Sequence, residues 1–487
     1  MGAIVSRAVE GWRGFKMNDY LMQVYHRMPG PARSLAASLK GLHLRRWRYG
    51  AMTDEIVAAA LERERWSEAQ LKAWREERLA RLLHRALTKV PYYREQWAAR
   101  RRSGDNSSPE YLENWPILEK EQLRQHAKAL IATDCNPRRM FQEHTSGTTG
   151  KPLILYWSLQ TVREWYGLFE ARCRNWYGVS RHDRWAILGG QLVTAVMSRR
   201  PPFWIWNAGL KQLYMSSYHL SPDLIPYYLD ALRRYKIRYL LGFTSSLYEL
   251  AQVILQTGQR DFDLSVVIAN AEPVYDYQRV AIEDAFSCPL RETYGMAEIV
   301  TAASECEHRS LHLWTDVGSV ELDGEDKNGK LKGTGELIAT SLINFDMPLI
   351  RYRVGDRLTL STAGELCTCG RTLPIVTSVD GRTDDLLFTS DGRRIYGADT
   401  ALATHDLPIL EAQIIQDALD RVRLNYIPAA GFMPNHERLL VERLRARMGE
   451  VFVIPRPVEK LPRSSNGKYR VMICNLSREE REKLKYH

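Results

Sequence analysis

Short apolar runs alternate with helical patterns through the middle of the chain. Trp185–Leu188, Tyr239–Gly242 and Val266–Ala269 each have the length and composition of a buried strand. Between the last two runs, Ser246–Gln256 has the pattern of a helix. This strand–helix–strand order predicts a mostly parallel sheet, in which ligands bind at the carboxyl ends of the strands.

The pattern changes on the carboxyl side of this region. From about 315 to 361, short alternating segments such as Gly335–Thr340 and Arg357–Leu360 predict a small antiparallel subdomain. From Asp385 onward the chain predicts a separate α+β block, with strands over Gln413–Gln416, Arg421–Leu424 and Val451–Ile454 and a helix over Glu437–Met448.

The amino-terminal region has a different character. Ser67-Glu68-Ala69-Gln70 is typical of a capping box, and the helix it opens should end at Pro91. Residues 1–50 are basic and aromatic and end in Arg45-Arg46-Trp47-Arg48-Tyr49. They fit either a segment on a membrane surface or a helical extension docked on the main body, and we favour the docked extension.

Composition narrows the classes of function. The chain has 487 residues, enough for two to four domains, and a net charge of +10, which favours anionic ligands. The arginines are scattered and no recognition motif accompanies them, so we expect no nucleic-acid partner. No apolar run is long enough to span a membrane, although peripheral membrane contact stays open. Seven cysteines and the lack of a signal peptide favour the cytoplasm.

A loop rich in hydroxyl groups is the strongest chemical signal. It reads Thr145-Ser146-Gly147-Thr148-Thr149-Gly150-Lys151-Pro152. Its glycines let backbone N–H groups turn toward an anion, and the hydroxyls and the lysine add donors and charge. It is not a Walker A loop, because Thr145 and Pro152 replace residues that this motif requires. The loop is suited to binding a polyphosphate.

The cysteines form a second constellation. Cys306 and His312 are followed by Cys367-Thr368-Cys369-Gly370. Three thiolates and one imidazole make a complete ligand set for structural Zn²⁺, with His308 as an alternative imidazole. The competing interpretation is four unrelated residues in loops, and we favour zinc.

The polyphosphate loop resembles that of the adenylate-forming superfamily, and four further motifs follow in the family's order. The resemblance covers about two-thirds of the chain and rests on Thr145–Pro152, Glu292–Glu298, Tyr352–Arg357, Gly381–Asp385 and Pro462–Lys468. Val90–Arg94 and Ala271–Pro273 narrow it to the phenylacetate–CoA ligase branch, which includes the CapK-type proteins of capsule and exopolysaccharide gene clusters. Some members of this branch carry zinc in the region of the cysteines.

The resemblance implies an α/β adenylate-forming fold with a large amino-terminal domain and a small, mobile α+β carboxyl-terminal domain. We expect a helical extension over 1–52, an AMP-binding domain over 53–382 with a zinc-stapled antiparallel subdomain at about 300–380, and the mobile domain over 383–487. The implied activity joins a carboxylic acid to AMP, using ATP and Mg²⁺, and then transfers the acyl group to a thiol or an amine.

The resemblance also implies roles for individual residues. Lys468 would be the catalytic cation between the carboxylate and the α-phosphate, Thr148 would act with it from the phosphate loop, and Glu298 would bind Mg²⁺. Tyr294 would stack on adenine, with the rest of the ATP site provided by Thr145–Lys151, Ala271, Glu272, Thr293, Gly295, Asp356 and Arg382. Asp384 would be the hinge. The carboxylate pocket is the least defined, with Gly190, Gln191 and Phe243 as its candidates.

One departure from the pattern of the phenylacetate–CoA ligases leaves the acceptor of the acyl group open. After the hinge, the chain reads Ser390–Gly397 where phenylacetate–CoA ligases continue with a Pro-Ser pair beside the thiol. This stretch is more similar to CapK-type proteins, so both CoA and an amine remain open as acceptors. Our first interpretation is an AMP-forming carboxylate ligase of surface-polysaccharide or secondary metabolism. The alternatives are an aryl- or acyl-CoA ligase like phenylacetate–CoA ligase and, in another class, a catalytically silent nucleotide-binding assembly partner. Retention of Lys468, Asp356, Arg382 and the phosphate loop argues against the silent protein.

Overall fold

The computed structural model describes residues 25, 28–144, 153–190, 193–194, 198–323, 333–361, 367–382, 387–389, 394–395, 407–462, 470–477 and 480. Four predicted features lie outside these residues: the polyphosphate loop, Gln191, Asp384 and Lys468. For Arg382 only the backbone is described.

The α-helices of the described residues are spread over the whole chain. They are α1 Gly30–Arg48, α2 Thr53–Arg63, α3 Glu68–Lys89, α4 Pro91–Arg102, α5 Lys120–His126, α6 Leu159–Cys173, α7 Ile225–Arg234, α8 Thr244–Thr257, α9 Asp276–Phe286 and α10 Pro434–Met448. None of these helices is both long and apolar enough to cross a bilayer.

Strands occupy the region between α5 and α10 and continue beyond it. They are β1 Phe141–His144, β2 Ile154–Trp157, β3 Trp185–Gly189, β4 Trp204–Asn207, β5 Gln212–Ser216, β6 Tyr239–Phe243, β7 Val266–Asn270, β8 Leu290–Gly295, β9 Ala302–Glu305, β10 Leu311–Leu313, β11 Gly318–Asp323, β12 Gly333–Ser341, β13 Tyr352–Leu360, β14 Ile375–Arg382, β15 Leu387–Phe388, β16 Arg394–Ile395, β17 Ile409–Ala418, β18 Arg421–Pro428, β19 Phe452–Pro457 and β20 Met472–Cys474.

A twelve-stranded sheet has the order β11-β12-β13-β14-β10-β9-β8-β7-β6-β3-β5-β4. Strands β8, β7, β6, β3 and β5 run parallel, as the apolar runs predict. The pairs β8/β9, β9/β10 and β10/β14 are antiparallel. The antiparallel strands predicted from about 315 onward therefore continue the large sheet along its edge.

The parallel part of the sheet is buried because helices pack on it. All five residues of β3, β6 and β7 are buried, as expected for parallel strands covered on both faces. Helices α7, α8 and α9 contribute Leu229, Leu250 and Ile282 to one apolar core with these strands. This rigid core fixes where the carboxyl ends of the strands lie.

The start and end of helix α3 and the docking of helix α1 are close to what the sequence predicts. Ser67 and Gln70 form both hydrogen bonds of a capping box at the start of α3. The helix ends before Pro91, but Pro91 then becomes the first residue of α4, a position where its missing N–H costs nothing. Helix α1 docks on the main body, with the Ser38 hydroxyl accepting from the Ala208 N–H at 3.0 Å. This agrees with a docked extension for its described part.

The chain divides into two compact units. The second contains the described residues from Ser378 onward together with Thr334–Glu336 and Gly355–Thr359, and the first contains the rest. Within the second unit, a four-stranded sheet of order β19-β18-β17-β20 packs with α10 around Leu424 and Leu440. The predicted strands and the predicted helix of this block are all present, each a few residues longer or shifted by one.

Candidate active site at the strand ends and candidate zinc centre

Four adjacent parallel strands end beside one another in the first unit. The carboxyl ends of β3, β6, β7 and β8 are followed by Gly190, Thr244, Ala271 and Met296. Because β6 pairs with both β3 and β7, and β7 pairs with β8, these ends share one edge of the sheet. The structure therefore brings together the predicted segments Ala271-Glu272 and Thr293-Tyr294-Gly295.

Glu272 links two of these strand ends. One of its carboxylate oxygens accepts from the Ser245 N–H at 2.8 Å, and its carbonyl accepts from the Thr244 hydroxyl at 3.2 Å. Ser245 lies in the first turn of α8, where free N–H groups and the helix dipole favour an anion. The carboxylate thus fixes the turn after β7 against the start of α8.

Thr293 and Tyr294 end strand β8. The Thr293 hydroxyl donates to the Ala269 carbonyl of β7 at 2.9 Å, and Thr293 itself is buried. Tyr294 is only half-buried, which leaves part of its ring on the surface of this strand edge. Thr293 therefore ties β8 to β7, and Tyr294 lies at the end of β8, where the predicted stacking on adenine would take place.

Glu298 follows β8 and is buried, with 8% of its surface exposed. One of its carboxylate oxygens accepts from the Tyr352 hydroxyl at 3.1 Å. The next residue, Ile299, has a φ of 46°, unusual for a β-branched side chain, and its carbonyl accepts from the Ser341 hydroxyl. Ala271 has a φ of 62°. Backbone strain of this kind persists where surrounding contacts enforce it, often at functional sites.

Two buried side chains at this edge escaped the sequence interpretation. Asn270, the last residue of β7, is 2% exposed, and neither atom of its amide has a hydrogen-bond partner among the described residues. The buried Ser245 hydroxyl likewise has no partner in the described part of the chain. Buried polar groups are seldom left unpaired, so these two are suited to a ligand. The available signal was a polar residue closing the apolar run Val266–Asn270.

The weak carboxylate-pocket candidates are only partly described. Gly190 is half-buried directly after β3, and Phe243 is buried at the end of β6. They lie at neighbouring strand ends, as predicted. Asp356 lies within β13, in the part of this strand that belongs to the second unit, directly after Gly355 with its positive φ of 83°.

Glu292, the first residue of the Glu292–Glu298 motif, has a raised pKa. Burial raises its pKa to about 7, and the nearby carboxylate of Glu305 contributes in the same direction. The Glu292 N–H donates to Glu305 at 2.7 Å, and Arg279 donates to the same carboxylate oxygen at 2.9 Å. Glu292 therefore changes charge near neutral pH.

The four predicted metal ligands come together in the first unit. One ligand atom from each of Cys306, His312, Cys367 and Cys369 lies within 4.8 Å of the others. His308 is exposed and lies outside this group. The structure thus selects His312 over His308 as the candidate imidazole.

Two short turns build this cluster. Cys306 follows β9, and the Arg309 N–H returns to its carbonyl at 3.0 Å in the hairpin that leads to β10. In the second turn the Gly370 N–H bonds the Cys367 carbonyl at 3.1 Å, with a φ of 77° at Gly370 that a glycine adopts without strain. Pairing of β10 with β14 brings the turns together.

The spacing of the cluster fits tetrahedral zinc. Two sulfurs about 2.3 Å from one zinc ion at the tetrahedral angle lie about 3.8 Å apart; the Cys306 and Cys367 Sγ atoms are separated by 3.7 Å. His312 Nε2 lies 3.3 Å from Cys369 Sγ, while its Nδ1 lies 3.0 Å from the Leu373 carbonyl. That contact favours the tautomer with Nε2 free for a metal.

Comparison with known proteins finds related sequences over most of the chain. Residues 387–475 match the family model described as the CapK C-terminal domain. Protein CapK of Staphylococcus aureus is 23% identical over 461 residues, 94% of this chain and all of that one. A phenylacetate–coenzyme A ligase of Thermus thermophilus is 28% identical over 343 residues, 67% of this chain and 74% of that one.

A solved structure shows the same fold. The 2-hydroxyisobutyryl-CoA ligase in its postadenylation state, in complex with R3-HIB-AMP, superposes with a TM-score of 0.63. It is 20% identical, and the alignment covers 87% of this chain and 93% of that one. The predicted mixed α/β fold, with a large sheet and a separate small carboxyl-terminal sheet, is confirmed.

Proposed function

Since the chain belongs to the adenylate-forming superfamily, in the branch of CapK and the phenylacetate–CoA ligases, we propose that it activates a carboxylic acid as an acyl-adenylate at the edge formed by β3, β6, β7 and β8. It is an AMP-forming ligase, like its relatives. The acyl group then passes to a thiol or an amine.

One observation supports this location above the others. Glu272 comes from one sequence motif and Thr293 and Tyr294 come from another, and they meet at adjacent strand ends. The buried Asn270 amide at the same edge has no hydrogen-bond partner among the described residues. The base of a nucleotide has hydrogen-bonding groups along its edge and a flat aromatic ring. Polar and aromatic side chains such as these can accommodate both.

The chemistry requires positive charge and oriented donors, because a carboxylate must approach the α-phosphate against charge repulsion. We assign the decisive cation to Lys468, which lies within the region that matches the CapK C-terminal domain. Thr145–Lys151 would bind the β- and γ-phosphates, and Asp356 and Arg382 would bind the ribose and the phosphates. The carboxylate of Glu298 would hold Mg²⁺, which prefers such oxygens and shields phosphate charge.

CoA is the acceptor that we favour. The phenylacetate–coenzyme A ligases in this branch are named for it, whereas the departure at Ser390–Gly397 keeps an amine as the second candidate. A role in making surface polysaccharides, suggested by the likeness to CapK, and a cytoplasmic location belong to the same proposal.

We further propose that Cys306, His312, Cys367 and Cys369 bind one structural Zn²⁺. The fit of the 3.7 Å sulfur separation to tetrahedral geometry supports this assignment. Four protein ligands leave no coordination position for catalysis, so the metal would stabilise the β9–β10 hairpin against the turn before β14. This turn also docks on the amino-terminal region, through the Thr372 N–H to the Glu64 carbonyl at 2.8 Å.

The test is a screen that does not need the acceptor. The purified chain is incubated with ATP, Mg²⁺, a panel of aliphatic, aromatic and hydroxy acids, and hydroxylamine to trap activated acyl groups. We expect acyl hydroxamate and AMP in equal amounts for at least one acid. Hydrolysis of ATP to ADP, or AMP release that no acid stimulates, would contradict an acyl-adenylate.

A further inference from the structure

A basic cavity opens at the opposite end of the parallel strands. It has a volume of about 270 Å³ and includes Trp185, the first residue of β3, in its lining. Six basic side chains line it: Arg45, Arg48, Arg174, Arg181, His182 and Lys211. No aspartate or glutamate is among its lining residues.

The cavity is separate from the proposed adenylation site. Trp185 and Lys211 stand at the amino ends of β3 and β5, whereas the nucleotide motifs follow the carboxyl ends. Strand β3 has five residues, so roughly 17 Å separates its two ends. A ligand in this cavity would therefore lie one strand length from Gly190.

The positive charge of the cavity is only partly compensated. Arg174 donates to Glu170 at 2.7 Å, and Arg181 donates to Asp54 at 2.7 Å. Lys211 donates to the His182 carbonyl at 2.6 Å, which is a neutral acceptor. Among the described residues, Glu170 and Asp54 are therefore the only carboxylates that form ion pairs with the five permanent cations of the cavity.

Arg48 is the most informative of these cations. It is 4% exposed and lies 4.3 Å from the centre of the Tyr166 ring. Within the described residues it has no carboxylate partner and no side-chain hydrogen bond. A buried guanidinium is costly unless oxygen acceptors satisfy its donors. Arg45, one turn earlier on α1, is exposed and likewise forms no ion pair within the described residues.

We propose that this cavity binds a small organic phosphate. Converging arginines match the oxygens of a phosphate group, because each guanidinium offers parallel donors. The cavity is close to the lower end of the range for small-molecule sites, and it is larger than a bare inorganic ion needs. Tyr49 and Trp185 supply a partly apolar wall for the organic part of the ligand.

A charge-reversal pair tests the proposal. Arg45→Glu and Arg46→Glu make the same change at neighbouring exposed positions of α1, but only Arg45 lines the cavity. Binding of glucose 1-phosphate, inorganic phosphate and neutral glucose to the full chain is measured by isothermal titration calorimetry at low salt. Circular dichroism shows whether both variants fold as the parent chain does.

We expect glucose 1-phosphate to bind more tightly than inorganic phosphate, and glucose not to bind. Arg45→Glu should weaken binding by about tenfold or more, because close opposite charges interact strongly in a partly buried site, whereas Arg46→Glu should change it less than about twofold. Three results would overturn the proposal: no saturable binding of either phosphate, equal weakening by both variants, or no weakening by Arg45→Glu. The last would place the phosphate elsewhere, such as the nucleotide site, and leaves the proposed ligase function unaffected.

Discussion

The backbone N–H of Ser245 donates to the Glu272 carboxylate at 2.8 Å, which joins the start of α8 to the turn after β7. This bond places an anion at a helix N-terminus, where the dipole favours it. It also holds the Ala271 peptide, whose φ is positive, beside the end of β8. The arrangement explains why Ala271-Glu272-Pro273 occurs as a unit at the predicted nucleotide edge.

Removing this bond should damage the nucleotide site more than the fold. We expect Glu272→Ala to lower the free energy of unfolding by about 1–2 kcal/mol, since the Ser245 N–H loses its acceptor. The KM for ATP should rise severalfold. Glu272→Gln keeps an acceptor oxygen and should retain most of the stability. Thermal unfolding and initial-rate kinetics on both variants check this, and equal stability loss in the two would count against the hydrogen bond.

Zinc should be measurable in the isolated protein. We expect about one zinc per chain, and chelation should lower the midpoint of thermal unfolding by roughly 5 °C, because a shift of this size corresponds to one or two kcal/mol in a large domain. Cys367→Ser should lose both the metal and the response to chelator. Cys288→Ser, outside the cluster, is the control that should keep both. If elemental analysis finds no zinc in protein that was purified without chelator, the assignment is refuted.

The stability of the folded protein should fall as the pH rises and Glu292 loses its proton. The folded pKa of about 7 lies above the reference value of 4.5, so the folded state disfavours the carboxylate. Glu292 is protonated in both states below about pH 4.5, and its stabilising contribution is lost as pH rises through 7. Glu292→Gln should therefore gain stability relative to the parent chain between pH 5 and 8, by about 2 kcal/mol.

Chemical denaturation at a series of pH values measures this difference. Glu95→Gln, an exposed change on α4, is the matched control for loss of one carboxylate. A stability difference for Glu292→Gln that stays constant with pH would show that Glu292 is ionised throughout.

Asp384 supplies a test of domain rotation. Proline fixes φ near −65°, so Asp384→Pro should lock a hinge that must change its backbone angles between half-reactions. We expect adenylation to persist while transfer to the acceptor slows by about tenfold or more. Separate assays of ATP–pyrophosphate exchange and of acyl transfer check this. Equal loss of both steps, or of neither, would argue against Asp384 as the hinge.

Apolar patterning predicted the parallel part of the fold well. Strands β3, β6 and β7 match their predicted runs with one residue added at the end, because uninterrupted apolar segments suit strands buried on both faces. Sequence did not predict that the later antiparallel strands extend the same sheet. Edge pairing depends on contacts between distant segments, which local patterns do not encode.

The candidate sites, like the fold, were only partly predictable from the sequence. The grouping of the four candidate zinc ligands was predictable because cysteine and histidine have few other reasons to group, and the structure decided only between His308 and His312. The basic cavity was not predictable, since Arg48, Arg174 and Lys211 belong to no common motif and only the fold brings them together. Asn270 was hidden because one amide after an apolar run is common.

Acid-dependent exchange of pyrophosphate into ATP tests the central claim most directly, with Lys468→Ala and Lys460→Ala compared with the parent chain. Both are single lysine removals in the carboxyl-terminal region, but only Lys468 belongs to the Pro462–Lys468 motif. The account predicts acid-dependent exchange by the parent chain and by Lys460→Ala. It predicts a loss of about 10²–10³-fold in Lys468→Ala, because a preorganised charge at the transition state is removed. An exchange rate that does not depend on the acid, or that is the same in Lys468→Ala as in the parent chain, would contradict the account.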